Sequence, residues 1–156
     1  MDKYHHYKLT TSWTGNKGSG TSNYKAYDRS YHIVINGKQT IEGSSDPAFR
    51  GDPSKHNPEE MLLGALSSCH MLWYLHLCAE AGVVVVNYTD EATGKMVETT
   101  NGGGKFEEVI LNPKVTVTEA AMVSKANHLH RKASELCFIA NSVNFPVNHH
   151  PVCLVQ

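Results

Sequence analysis

His56–Gly82, HNPEEMLLGALSSCHMLWYLHLCAEAG, decides how the rest of this 156-residue chain is arranged. Asn57 can cap a helix, Pro58 suits its first position, and Glu59 and Glu60 stand in the first turn, where carboxylates meet the positive end of the helix. Gly82 supplies the stop. These signals enclose roughly 24 helical residues, about 36 Å of axis. At about 100° per residue, Leu62, Ala65, Leu66, Leu72, Trp73 and His76 share a side with Cys69, while Gly64, Met71, Leu75 and Cys78 lie opposite. The helix is apolar almost all round, so it is expected to be buried on every side. Ser67, Ser68, His70, His76 and Glu80 argue against a membrane span, because each is costly in lipid. A chain this short wraps only part of such a helix, and a second subunit is expected to cover the rest.

Around the helix the pattern is mostly strand. Residues 4–13 and 24–35 read as strands, with Tyr31, Ile33 and Ile35 alternating with their neighbours. Between them GNKGSGTSN is an open turn rather than a phosphate cradle, since no Lys-Ser or Lys-Thr follows it. Asn36-Gly37 is a tight-turn signal leading to a short strand around Lys38–Glu42. GSSDPAFRGDPSKHNP is a long loop ending at the helix cap, and long ordered loops are often functional. Beyond the helix, strands are expected at Val83–Tyr88, Lys95–Thr99 and Phe106–Val117, with Pro113 marking an edge or bulge. A second helix spans Ala120 to about Leu136, where Ala126, Leu129, Ala133 and Leu136 recur at helical spacing. Val143–Val155 reads as a last strand broken by Pro146 and Pro151. The order gives an α+β fold, with a largely antiparallel sheet and helices on one side, in a single domain over residues 1–156.

The 14 basic and 15 acidic residues leave a formal charge of −1, and no basic cluster is interleaved with aromatics, so nucleic acid is not an expected partner. The polar amino terminus, MDKYHHYKLTTSWTG, lacks an apolar signal core, which predicts a cytoplasmic protein. The four cysteines then read as thiols rather than a disulfide scaffold. Cys69 and Cys78 are nine positions apart, about 13 Å along the helix axis, too far for a disulfide. Cys78 and Cys153 read as small core hydrophobes. Cys69 follows two serines, whose small side chains leave room for a ligand. Cys137 is the one well-separated cysteine on an element that could pack across the first helix.

Asn57-Pro58-Glu59-Glu60, then LLGALSSC ending at Cys69, then ELCFIANS around Cys137, resemble the OsmC/Ohr family of peroxide-reducing proteins over nearly the whole chain. The resemblance implies an OsmC-like fold with a long buried central helix, in an intertwined homodimer with active sites at the interface. It implies that Cys69 is the peroxidatic cysteine and Cys137 the resolving one. The implied activity is reduction of organic hydroperoxides to alcohols, with a lipoylated protein or other dithiol as reductant and no cofactor. The family also pairs an arginine with a glutamate. Glu59 matches the glutamate by its Asn-Pro-Glu context. Arg50, in PAFRGDPSKHNPEE, matches the arginine of the osmotically induced branch; Arg29 is the alternative suggested by the hydroperoxide-resistance branch. In many members a proline follows the resolving cysteine, whereas this chain has Phe138, which bears on where the second helix breaks.

The chemistry asks for more than an ionised thiol. A free thiol is a few per cent thiolate at pH 7, so full ionisation raises the reactive fraction only about thirtyfold. A guanidinium can further orient the peroxide and stabilise the departing alkoxide. Glu59 and Cys69 lie about 15 Å apart along one straight helix. A loop arginine, a helix break or the partner chain must therefore close the gap, and the dimer interface is expected to help. Phe49, Leu62, Leu66, Leu72 and Trp73 could form apolar walls or plain core. The ten histidines raise metal binding as a rival, but His70 and His76 point apart and the chain has neither Cys-x-x-Cys nor His-Glu-x-x-His. A non-enzymatic thiol sensor or small-ligand binder on the same fold is the other rival.

Overall fold

The computed structural model describes residues 2–156, which fall into two compact units, Met1–Met61 and Leu62–Gln156. In the first, β1 (Thr10–Trp13), β2 (Tyr31–Val34) and β3 (Ile41–Gly43) form an antiparallel sheet in that order. The glycine-rich loop turns its amides inward: the Gly18 and Gly20 N–H groups both donate to Asn16 Oδ1, at 2.9 and 3.0 Å. That loop is a turn closed by its own asparagine. The segment after β3 is a closed loop whose ends meet. Ser44 N donates to His56 O at 2.9 Å, and the buried Ser44 hydroxyl accepts from Asp52 N at 3.0 Å. Within it Asp46 caps a short 3-10 turn at Pro47–Phe49.

Helix α1 runs Pro58–Glu80. Its start is a reciprocal cap. Glu60 N donates to Asn57 Oδ1 at 2.8 Å, and Asn57 N donates to the Glu60 carboxylate at 3.3 Å. Its end is a Schellman-type closure: Val83 N reaches Cys78 O, Gly82 N reaches Ala79 O, and Gly82 takes φ 71°. By length and composition α1 could cross a membrane. Its fully buried residues, however, are Leu66, His70, Tyr74 and Cys78, a stripe at four-residue spacing that packs into the core of the second unit. Burial on every side is therefore not what the single chain shows. Leu72 is 63% exposed, and Gly64, Ser68 and His76 are exposed with it.

In the second unit, β4 (Val85–Asp90), β7 (Pro113–Val117) and β9 (Val152–Val155) form one sheet, and β5 (Thr93–Glu98), β6 (Gly104–Leu111) and β8 (Val147–His149) another. The stretches read as single strands from sequence each change sheets partway. Asn112 separates β6 from β7, and His150-Pro151 separates β8 from β9. Prolines 113 and 151 have no N–H for a continuous ladder. The junction is held by Asn112, whose N–H donates to Asp90 Oδ1 at 2.6 Å and whose side-chain amide donates to Glu91 O at 2.9 Å. Asp90 Oδ2 in turn accepts from the Ser67 hydroxyl of α1 at 2.5 Å. The β6–β8 and β7–β9 pairings are parallel and the other four antiparallel, so the sheets are antiparallel in the main. Helix α2 (Val123–Leu136) follows a 3-10 turn at Ala120–Met122 and buries Ala126, His130 and Ala133.

Candidate active site

Cys69 sits in mid-α1, half-buried, and Cys137 is the residue at which α2 ends. Cys137 leaves helical geometry at φ −66°, ψ 110°. The helix thus breaks at the cysteine without a following proline. Ile139 and Ala140 then fold back, and Ala140 N donates to Cys137 Sγ at 3.4 Å. Cys137 is 2% exposed, and the Cys69 thiol lies near enough to raise its proton affinity. Burial first, then that neighbour, pushes Cys137 up to about 11. Cys137 therefore keeps its proton across the neutral range. Cys69 is the more accessible of the two. The other two thiols are held above their ordinary value by burial, and Cys78 lies in the core with Cys153 packed against it.

Apolar side chains stand beside this pair. Leu72 and Trp73 follow Cys69 by three and four residues and so share its helix face. Phe138, 68% exposed, meets Trp73 edge-on with ring centroids 5.5 Å apart. Of the side chains expected as walls, Leu66 and Leu62 instead pack with Val109 and Leu111. Phe138 was legible only as a missing proline.

His70, the residue after Cys69, belongs to a buried histidine cluster that sequence reasoning missed. His70 Nε2 and His130 Nδ1 are 3.0 Å apart, with parallel rings; Tyr74 stacks on His130 at 3.8 Å and His149 tilts against both. Burial, then His149, drives His70 down to about 4; burial, then His70 and His149, drives His130 down to about 3. The signal was present: His70 and Tyr74 fall on the Leu66–Cys78 stripe, and His130 falls between Ala126 and Ala133. Among the described residues no group of His, Cys, Asp or Glu side chains is arranged to hold a metal ion.

Arg29, Arg50 and Glu59 belong to the first unit. The Arg29 guanidinium donates to Tyr27 O and Tyr24 O, both at 2.7 Å, and lies over both tyrosine rings. Arg50 is exposed, at φ 65°, a left-handed conformation uncommon outside glycine. Both arginines line a polar cavity of about 230 Å³ that also holds Asp28 and Asp52. Among the described residues Glu59 forms no ion pair with either, and its Oε2 is buried without a hydrogen-bond partner.

A paired thiol on an α+β scaffold of this kind is matched by known proteins. Residues 51–150 match the family described as OsmC-like protein, and the chain belongs to that family. The uncharacterized protein YmaD of Bacillus subtilis is 27% identical over 144 residues, covering 89% of this chain and 87% of its own. An OsmC-like protein of unknown function from Vibrio cholerae superposes with a TM-score of 0.85 at 28% identity, over 96% of this chain and 100% of its own. An organic hydroperoxide resistance protein from Elizabethkingia anophelis shares the fold, with a TM-score of 0.69 at 18% identity, over 99% of this chain and 100% of its own.

Proposed function

We propose that the protein is a thiol peroxidase that reduces organic hydroperoxides to alcohols. The observation that carries this reading is the nearness of Cys69 and Cys137, a more accessible thiol beside a buried, protonated one. The Cys69 thiolate attacks one peroxide oxygen. The S–O bond forms, the O–O bond breaks, and the alkoxide leaves as alcohol after taking a proton. Cys137 then attacks the Cys69 sulfenic acid, forming a disulfide and releasing water. An external dithiol, of lipoyl or similar type, restores both thiols by exchange. Such a cycle needs a compartment that keeps thiols reduced, and the cytoplasm is the assigned location.

Arg50 is assigned as the cation that orients the peroxide and stabilises the leaving alkoxide, with Glu59 as its anchor. Three features support Arg50 over Arg29. Arg29 is already committed to two carbonyls and two rings, Arg50 has among the described residues only a distant approach to the Tyr24 ring at 5.9 Å, and its strained backbone is of the kind that collects at functional sites. The open face of α1, with Leu72 at its centre, supports a homodimer in which a second copy covers the helix. Leu72, Trp73 and Phe138 supply an apolar approach suited to an organic tail.

Steady-state reduction of cumene hydroperoxide with dihydrolipoamide tests the reading. Wild type is expected to cycle, Cys69→Ser to be inert, and Cys137→Ser to react once without forming the disulfide. Full activity in Cys69→Ser would refute the assignment. One oxidation without cycling in the wild type would favour a sensor.

A further inference from the structure

Two buried polar atoms in the first unit are left unused. The Tyr31 hydroxyl and Glu59 Oε2 both lack a hydrogen-bond partner. An unpartnered buried polar atom destabilises a fold, and native structures keep few of them. The backbone brings the two into one neighbourhood: Tyr31 lies against Gly43, and Gly43 bridges to His56, three residues before Glu59. Burial first, and then the Glu59 carboxylate, hold the Tyr31 phenol above its ordinary value. Tyr31 does not reach this place through a bond of its own hydroxyl. It stands opposite Gly43 across β2 and β3, and a Cβ at Gly43 would come within 2.2 Å of its ring. Only a glycine lets the ring lie so close to the β3 backbone. Glu59 is placed separately, by the capped first turn of α1.

We propose that Tyr31 is a positioning residue of the active site, its hydroxyl bonding to the guanidinium that Glu59 anchors. The inference rests on the peroxidase reading. A carboxylate oxygen beside a phenol oxygen suits a guanidinium, which presents several N–H donors in a fixed plane. Glu59 accepts one and Tyr31 another, and two points of attachment fix the rotation that one leaves free. The aim of the cation at the peroxide then depends on an oxygen that contributes nothing to the stability of the resting chain.

Tyr31→Phe keeps the ring against Gly43 and removes one oxygen. The expected result is a ten- to hundredfold fall in kcat/KM for cumene hydroperoxide, about the loss of one hydrogen bond to a charged group. Its melting temperature is expected to equal or exceed the wild type's, and alkylation of Cys69 by iodoacetamide to keep its rate. In a Glu59→Gln background the same change is expected to add no further loss, because both act through one cation. Wild-type kcat/KM in Tyr31→Phe overturns the proposal. So does a variant melting well below the wild type, which would reveal a structural partner for the hydroxyl, or a loss fully additive with Glu59→Gln. A wild-type protein inert toward the peroxide removes the peroxidase reading itself, and this role with it.

Discussion

Lowering the pH from 7.5 to 5 should destabilise this protein through two histidines. His70 and His130 are buried against each other, with His149 and Tyr74 packed on them; Asp90 alone pulls His70 the other way. In the fold they bind a proton only near pH 4 and 3, against an ordinary value of 6.5. The unfolded chain thus binds more protons than the folded one between those limits. Stability is complete above about pH 6.5 and falls as the pH drops toward the folded values. At pH 5, about 1.5 below the ordinary histidine value, each histidine accounts for about 2 kcal/mol, and the two for about 4 kcal/mol. That is a large part of a typical domain's 5–15 kcal/mol. Asp52 and Glu107, held low by Ser54 and Lys95, act only below this window. Urea unfolding at the two pH values, at one protein concentration, measures the difference. His70→Phe/His130→Phe, which removes both partners and keeps ring-sized bulk, should lose most of the acid sensitivity. A wild type equally stable at pH 5 and 7.5, or more stable at pH 5, would refute the reasoning.

The remaining expectations are local. Phe138→Ala should raise KM for cumene hydroperoxide several-fold and leave hydrogen peroxide kinetics unchanged, because it removes apolar wall and no reacting group; equal effects on both substrates would count against the wall. Gly82→Ala should cost about 1 kcal/mol by urea melt, since alanine at φ 71° is strained. Asn57→Ala should cost about 1 kcal/mol through loss of the reciprocal cap.

What was legible in the sequence was local chemistry. Asn57, Pro58 and Gly82 set the ends of α1 through bonds to residues within a few positions, so their types alone disclose the helix. The cysteines were legible because the stretches around Cys69 and Cys137 resemble the family's; spacing on a helix excluded only Cys69–Cys78. What was hidden depends on partners far along the chain. Asp90 binds Asn112 and Ser67, so the change of sheet at Asn112 cannot be read from Phe106–Val117 alone. His70 meets His130 sixty residues away, and until that contact is known a buried histidine looks like any helical one. Tyr31 read as an alternating strand residue; its unused hydroxyl shows only once Gly43 and Glu59 are beside it.

The central claim is that Cys69 and Cys137 form one redox couple. The direct measurement is disulfide mapping by mass spectrometry after one equivalent of cumene hydroperoxide is added to the reduced protein. The account predicts a Cys69–Cys137 linkage within one chain, with Cys78 and Cys153 still reduced. Peroxide consumed with Cys137 still a free thiol, or with the new linkage on Cys78 or Cys153, would contradict it.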